Sequence, residues 1–254
     1  MAEARALAGR TAGLHAALAR GGGGAAFDPE PVAAADLQRW AAQTRAETAQ
    51  VLALLQQREA PLPAAQRDAA DRLAASMPGL QRLAARAAAL PASGRKQRIH
   101  GRLRLQEVLR VHDHFVFVDF EGDPARPLAD RRRKQSPWRD VAGLLHSFDQ
   151  AGHAALHTGA HAEAQTSRRA ALAGIWRGAV RNAFLHAYVK AAAAFDLLAA
   201  PDDLAAAQPL LRLFELDLVL QDLRDELQHR PDTAPAALDA AAALAAVAAL
   251  ADAD

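Results

Sequence analysis

Apolar residues recur every three or four positions along most of the chain, which is the spacing of an amphipathic α-helix. In the first such stretch Leu7, Thr11, Leu14 and Leu18 share one face, and four glycines at 21–24 end the pattern. The periodicity predicts helices over residues 1–20, 36–57 and 64–76, a fourth helix ending near residue 90 and separated by Pro78 and Gly79, then helices over 138–151, 167–198 and 206–229, and a last alanine-rich helix. The His- and Ala-rich segment 153–164 is predicted to be a loop.

A different pattern occupies the middle of the chain. Two short runs of β type, residues 107–110 and 115–118, flank a turn at His112 to His114, which is the arrangement of a β-hairpin. The sequence therefore predicts a mainly α-helical protein with one small central β-hairpin. Metal binding by His112 and His114 is not expected, because a short hairpin tip supplies no third ligand.

The hairpin leads directly into a group of residues that can carry chemistry. Asp119 follows the second run, and Phe-Glu-Gly follows Asp119. A carboxylate after a strand, with a glycine that lets the backbone bend behind it, is a common way to hold Mg²⁺ beside a nucleotide phosphate. Asp119 is therefore our first metal-ligand candidate, with Glu121 or Glu107 as a possible second ligand. In the alternative interpretation Asp119 binds no metal, and its carboxylate is hydrogen-bonded to the loop or neutralised by Arg102.

The composition argues against nucleic-acid binding, disulfide bonds, thiolate metal sites and membrane insertion. Hydrophobic residues make up 51% of the 254, and the formal net charge is +1, so no general nucleic-acid surface is expected. The basic run 131–134 is either a solvated loop or a contact for phosphate or an acidic partner. The absence of cysteine excludes disulfides and thiolate metal sites. No secretory or membrane-spanning segment is apparent, so we expect a cytoplasmic protein with no membrane partner.

Several stretches give the chain a resemblance to a known family. They are residues 9–15, 98–101 (Arg-Ile-His-Gly), 118–128 (Val-Asp-Phe-Glu-Gly-Asp-Pro-Ala-Arg-Pro-Leu), 136–143, 147–149, 211–215 and 223–232. In these the chain is similar to bacterial maltokinases, which resemble aminoglycoside phosphotransferases and make maltose 1-phosphate from maltose and ATP. The resemblance covers essentially the whole chain.

The resemblance implies the fold and the domain organisation. It predicts that residues 1–254 form a single helical C-lobe of a kinase-like fold. The entering helical segment would be 1–95, the catalytic loop and hairpin 96–124, and the second helical segment 136–254. The nucleotide-clamping N-lobe of the family is expected to be absent, since no glycine-rich loop on a strand and no strand lysine is found. ATP and Mg²⁺ are therefore implied as cofactors whose binding we expect to be weak or lost.

The resemblance also assigns roles in the catalytic loop, and here the chain departs from the family. The family pattern is His-Gly-Asp-x-His-Leu-Gly-Gln, and its aspartate accepts the proton of the sugar hydroxyl. His100, Gly101 and Asp140 match structural positions, with Asp140 expected to brace the loop through backbone N–H groups. The position of the family base is occupied by Arg102. A guanidinium stays protonated and has no acceptor, so no residue is assigned as the catalytic base.

The sugar-facing positions depart from the family as well. The family has a lysine and two tyrosines on its penultimate helix, where this chain has Leu218, Gln221 and Asp225. No aromatic side chain remains there to pack against a sugar ring. Elsewhere, Trp40, Trp138 and Trp176 lie on apolar stripes and are predicted to be core residues.

Three hypotheses about function follow. The first is a catalytically degenerate maltokinase-like C-lobe of the trehalose–maltose–α-glucan pathway, acting as an interaction or regulatory module beside a trehalose synthase. The second is an active maltose 1-phosphotransferase completed by an N-lobe on a separate chain, with Glu107 or Glu121 as base. The third is a truncated remnant without function. Turnover, a β-rich partner chain, or poor folding would distinguish them.

Overall fold

The computed structural model describes residues 1–57, 64–124, 126–157, 163–195, 197, 204–229 and 241. Within these residues the helices are α1 (Ala2–Leu18), α2 (Ala34–Gln56), α3 (Ala64–Ala75), α4 (Met77–Ala88), α5 (Leu128–Arg131), α6 (Trp138–His157), α7 (Glu163–Ala194) and α8 (Leu204–His229). The strands are β1 (Glu30–Pro31), β2 (Arg95–Lys96), β3 (Val108–Val111) and β4 (His114–Phe117). The mainly helical architecture predicted from the sequence is confirmed. The alanine-rich helix predicted after α8 lies outside the described residues.

Helix ends differ from the prediction where proline is involved. Pro78 was expected to separate two helices, but α4 begins at Met77 and takes Pro78 into its first turn. The first turn tolerates proline because its N–H groups have no partner within the helix. The break between α3 and α4 therefore falls at Ser76, whose hydroxyl donates to the carbonyl of Leu73 at 2.7 Å.

The loop predicted over 153–164 is wrong in its described part. Helix α6 continues to His157, and α7 begins at Glu163. The alanines of this segment favour helix over coil. Gly152, directly before this segment, has a packing role. A Cβ at Gly152 would lie 2.7 Å from Cγ and Cδ of Arg177 on α7, so the two helices approach closely there.

The chain divides into two compact units. The first contains Met1–Val32 and Ser93–Ala205, and the second contains Ala33–Ala92 and Ala206–Asp254. Each unit thus combines segments that are distant in sequence. That both units together act as the single lobe predicted from the sequence stays a prediction.

The first unit is built on α7, which packs against α1 and α6. Its core is aromatic: the rings of Phe148 and Phe184 meet edge to face, and so do those of Trp138 and Tyr188. The hairpin and the catalytic loop lie in this unit. Buried apolar residues on its three main helices include Leu7, Ala8, Ala12, Val141, Leu144, Leu145, Val180, Phe184 and Leu185.

The second unit is a helical cluster of α2, α3, α4 and most of α8. Trp40 on α2 is 1% exposed and meets Phe214 on α8 edge to face, at 5.4 Å between ring centroids. The prediction that Trp40 is a core residue is confirmed. The apolar core of this unit contains Val51, Ala69, Leu73, Leu80, Leu83, Leu216, Val219, Leu220 and Leu223.

The described residues contain two small antiparallel sheets and one isolated antiparallel bridge between Gln97 and Gln135. In the predicted hairpin, Val108 pairs with Phe117 and Val111 with His114, so β4 begins one residue earlier than the sequence suggested. The other sheet pairs β1 with β2 and was not predicted, since two-residue strands leave no periodicity to detect. Among the described helices, none is long and apolar enough to cross a bilayer.

Candidate functional site

Asp140 holds the segment that resembles a catalytic loop. It lies in the first turn of α6, and its side chain is 1% exposed. One carboxylate oxygen, Oδ2, accepts the backbone N–H of His100 at 2.8 Å, and Oδ1 accepts that of Gly101 at 2.9 Å. Such charge-assisted bonds are shorter and stronger than neutral ones. The backbone at 100–101 is therefore fixed from α6, in the way that the resemblance implies.

Glycine is required at position 101 by backbone conformation. Its φ of +86° lies in the left-handed region, where a Cβ is strained. The position of a Cβ at Gly101 would be 3.6 Å from Cα of Gly122. The loop thus contacts the turn that follows Asp119, and the two halves of the candidate site lie together.

His100 links the same two halves through its side chain. Its Nε2 lies 2.8 Å from the carbonyl oxygen of Val118, and a carbonyl only accepts, so Nε2 carries the proton. The ring also lies against Phe120, at 4.7 Å between centroids. Nδ1 of His100 is buried without a hydrogen-bond partner among the described residues. His100 therefore supports the corner before Asp119 from beneath and does not point into solvent.

A buried network that the sequence did not reveal supports Asp140 in turn. His15 on α1 is fully buried, with Nε2 3.2 Å from Oδ2 of Asp140 and Nδ1 2.8 Å from the hydroxyl oxygen of Tyr188. Gln97 donates to the carbonyl of His15 at 2.7 Å. The signal that could have found His15 is its position on the apolar stripe of α1, one turn after Thr11.

This network determines proton positions. An ionised carboxylate only accepts, so Nε2 of His15 donates to Asp140, and in the neutral ring Nδ1 accepts the hydroxyl proton of Tyr188. Burial raises the pKa of Tyr188 well above its ordinary value, and the nearby charge of Asp140 raises it further. Tyr188 is therefore a permanent donor at neutral pH, and α1, α6 and α7 all contribute to holding the loop.

Asp119, the first metal-ligand candidate, is exposed at the corner. It lies two residues after the end of β4, and its φ of +64° is in the left-handed region. This conformation is costly for a residue with a side chain, and such strain concentrates at functional sites. The corner is held by His100 at Val118 and by Arg131, which donates to the carbonyl of Glu121 at 3.2 Å.

Of the other two proposed ligands, one is buried and one is exposed. Glu107 is buried and its Oε2 accepts the backbone N–H of Arg104 at 3.2 Å, while Glu121 is exposed. In the part of the chain that the structure describes, no three His, Cys, Asp or Glu side chains converge as metal ligands. The metal assignment to Asp119, with Glu121 or Glu107, stays a prediction.

Arg102 follows the fixed Gly101 and has an exposed side chain. The ion pair with Asp119, which was considered from the sequence, is not formed between these two described residues. The guanidinium is thus presented to solvent at the position where the resemblance implies a proton acceptor. The arrangement can position a loop and an exposed carboxylate, but at Arg102 it offers no base.

Two of the α8 positions that the resemblance assigns to sugar contacts, Gln221 and Asp225, have hydrogen-bond partners within the chain. Gln221 is buried and its Nε2 donates to Oδ2 of Asp217 at 2.8 Å. Arg224 donates to Asp225 at 3.2 Å and also forms an ion pair with Glu47 on α2. These polar groups therefore have partners within the second unit.

Comparisons with known proteins give the chain its relatives. No family model matches it. A glucosamine kinase from Streptacidiphilus jiangxiensis is 28% identical over 186 residues, which are 73% of this chain and 37% of that protein. A solved glucosamine kinase in complex with glucosamine, ADP and inorganic phosphate has a TM-score of 0.75 at 26% identity, covering 94% of this chain and 50% of that one.

A second crystal form of glucosamine kinase agrees, with a TM-score of 0.74, 26% identity, and coverage of 94% of this chain and 52% of that one. The chain thus spans about half the length of the solved chains it matches. The comparisons do not point to maltokinase specifically. By sequence and by structure, the chain is similar to glucosamine kinases, and it shares their kinase-like fold.

Proposed function

We propose that this chain is a sugar-kinase-like C-lobe that keeps the scaffold of a phosphotransfer site and lacks its proton acceptor. The observation that carries the proposal is Arg102, which directly follows a glycine fixed by Asp140. The loop geometry is maintained by buried hydrogen bonds, whereas the residue that would perform the chemistry is a permanent cation. A scaffold without its base is suited to binding a partner protein and not to catalytic turnover.

The loss of the base does not act alone. Removing a general base typically costs about 10²–10⁴-fold in rate, although phosphoryl transfer depends more on positioning and metal charge. On α8, Leu218, Gln221 and Asp225 offer no aromatic face to a sugar. Orientation of the acceptor hydroxyl is itself worth several kcal/mol, so these departures compound.

The residues present fit Mg²⁺ that arrives bound to a nucleotide. Mg²⁺ commonly uses one or two carboxylates together with phosphate oxygens and water, and seldom a cage made only of protein ligands. Asp119 supplies one exposed carboxylate, and no set of three ligands surrounds it in the described residues. When bound, Mg²⁺ would neutralise phosphate charge, and Asp119 would hold it while His100 supports the corner. ADP or ATP is the nucleotide that such a site would take, by similarity to the glucosamine kinase that binds ADP, and we propose that Arg102 keeps its binding weak.

The biological role that we propose is that of a helical interaction or regulatory module in sugar metabolism. The sugar class is that of the relatives, glucosamine, with maltose as the alternative from the sequence resemblance. A trehalose synthase is the partner that this resemblance suggests.

The proposal is tested by phosphotransfer with ATP and Mg²⁺, using glucosamine and maltose separately as acceptors. We expect the wild-type chain to show no phosphorylation of either sugar above the rate without protein. Asp119→Asn is the matched control, because it alters the metal corner without touching the buried network. Turnover by the wild-type chain that Asp119→Asn abolishes would overturn the proposal.

A second candidate function is an active sugar kinase completed by another chain. It is favoured by the intact support of the loop by Asp140. In that case a β-rich partner would restore turnover, and Glu107 or Glu121 would act as base. Glu107 is less suited, since it is buried and bonded to the backbone of Arg104.

A further inference from the structure

One long helix exposes an apolar surface that the candidate site does not use. Leu172, Ile175 and Trp176 on α7 are 56%, 70% and 40% exposed. Their spacing places them on one stripe, opposite the face that buries Phe184 and Tyr188. The prediction that Trp176 is a core residue is therefore wrong. Neighbouring exposed residues of this size, with a tryptophan among them, are typical of interaction surfaces.

The same stripe continues into a cationic groove. Asn182, His186 and Lys190 follow at helical spacing and form one wall, while Arg5 on α1 stands on the other. The groove is open and has a volume of about 590 Å³. Within the described residues, neither Arg5 nor Lys190 is paired with a carboxylate. The stripe on α7 is thus apolar over its first half, and its second half ends at Lys190 with Arg5 of α1 beside it.

The charge of α7 indicates the partner. From residue 164 to 194 the helix contains no acidic residue, and its charged residues are Arg168, Arg169, Arg177, Arg181 and Lys190. A second copy of this chain would bring like charges together at this surface, which is unfavourable. A planar membrane would not enter the groove between Arg5 and Lys190. A helix with acidic side chains has the opposite charge and is narrow enough to enter the groove.

We propose that this stripe, Leu172 to Lys190 on α7 together with Arg5, is the docking surface for an acidic amphipathic helix of a partner protein. The stripe covers 18 helical steps, or about 27 Å, so it accommodates a helix of about five turns. Apolar residues of the partner contact Ile175 and Trp176, and its carboxylates contact Arg5 and Lys190. This inference rests on the proposed interaction module for its purpose, and its test measures binding and not catalysis.

The test uses a synthetic helical peptide with leucines on one face of its first half and glutamates on the same face of its second half. A matched peptide carries lysine in place of each glutamate. Binding is measured by calorimetry and by the blue shift of tryptophan emission as Trp176 is covered. We expect the acidic peptide to bind at least about 10-fold more tightly than the lysine peptide, which corresponds to about 1.4 kcal/mol.

Substitutions in the chain locate the binding. Ile175→Arg and Lys190→Glu should each weaken binding of the acidic peptide about 10-fold, and Trp176→Phe should remove the blue shift while calorimetric binding remains. Ile175, Trp176 and Lys190 are all exposed, and circular dichroism checks that each variant keeps its helix content. Arg45→Glu on α2, an exposed arginine outside the stripe, should bind like the wild type.

Other occupants are outcomes of the same experiment. The proposal is overturned if the two peptides bind equally, or if Ile175→Arg and Lys190→Glu leave the affinity unchanged. It is also overturned if phosphatidylglycerol vesicles, and not the peptide, shift the emission of Trp176. A dimer in sedimentation that Ile175→Arg abolishes would assign the surface to a second copy instead. None of these results depends on kinase activity, so the proposed function can fail separately.

Discussion

The carboxylate of Asp140 accepts hydrogen bonds from the loop backbone and from a side chain of α1. It accepts the backbone N–H groups of His100 and Gly101 and the ring N–H of His15, all in a site from which water is excluded. Buried charges persist only where hydrogen bonds replace water. Because the charge of Asp140 is satisfied by loop backbone, the loop is part of the folded core and is not a separate flexible element.

Tyr188 offers a test of this network by titration. Burial and the Asp140 charge raise its pKa, whereas the unfolded chain ionises near a pKa of about 10. The stabilising effect of the neutral hydroxyl is thus fully present below pH 10 and is lost as the pH rises further, because only the unfolded state is then stabilised by ionisation. We expect the tyrosinate absorption to appear only together with loss of helical circular dichroism.

The measurement is clean because Tyr188 is the single tyrosine of the chain. The control is the same titration in urea, which should give the ordinary midpoint of about 10. A tyrosinate signal with that midpoint in protein that retains its helices would show that the hydroxyl is accessible, and that the network with His15 does not form.

At the scale of elements, the backbone of α6 lies close to the backbone of the loop that resembles a catalytic loop. A Cβ at Gly143 would lie 2.3 Å from the carbonyl oxygen of Leu103, a distance that no side-chain movement can relieve. Alanine within a helix normally stabilises relative to glycine by about 0.5–1 kcal/mol. We expect Gly143→Ala to destabilise by about 1–3 kcal/mol instead, as measured by urea unfolding.

Gly174 on α7 provides the matched control. A Cβ there would meet no atom within 4 Å, so Gly174→Ala should stabilise by about 0.5–1 kcal/mol, in line with its helix propensity. If Gly143→Ala stabilises as much as Gly174→Ala, then the loop does not pack on α6. The support of the loop by Asp140 would then need another explanation.

The elements that the sequence predicted are those whose signal is local. The periodicity of α1 and α8 and the hairpin of β3 and β4 depend on neighbouring residues, and all are found. The close approach of Gly152 to Arg177 on another helix was not predicted, because the two residues are far apart in sequence. For the same reason the contact of His15 with Asp140 was missed, since 125 residues separate them.

Trp176 shows a related limit. An apolar stripe on a helix indicates a surface that excludes water, but the stripe does not say whether the chain itself or another molecule covers it. Helix α7 packs against α1 and α6, yet Leu172, Ile175 and Trp176 stay exposed. The candidate metal ligands show the converse case. Asp119, Glu121 and Glu107 are close in sequence or proposed together, yet Glu107 bonds inward to the backbone of Arg104.

At the scale of the whole molecule, the scaffold combines the carboxylate of Asp119, which can hold Mg²⁺, with the guanidinium of Arg102, which repels a cation. Mg²⁺ held by Asp119 beside a nucleotide phosphate would bring a divalent cation near the guanidinium of Arg102, and like charges repel. A ligand that binds only the folded state raises its stability by an amount set by ligand concentration over Kd. Nucleotide binding can therefore be measured as a change in Tm without any catalysis.

We expect ADP with Mg²⁺ to leave the Tm of the wild-type chain nearly unchanged and to raise that of Arg102→Asp. At ten times its Kd, the nucleotide would add about 1.4 kcal/mol, or about 3–6 °C for a chain of this size. Arg45→Asp makes the same change in charge on the exposed surface of α2 and should behave like the wild type. If the wild-type Tm rises as much as that of Arg102→Asp, the guanidinium does not oppose nucleotide binding. The hypothesis that Arg102 weakens this binding is then wrong. If Arg45→Asp shows the same gain as Arg102→Asp, the effect is one of net charge and not of the corner beside Asp119.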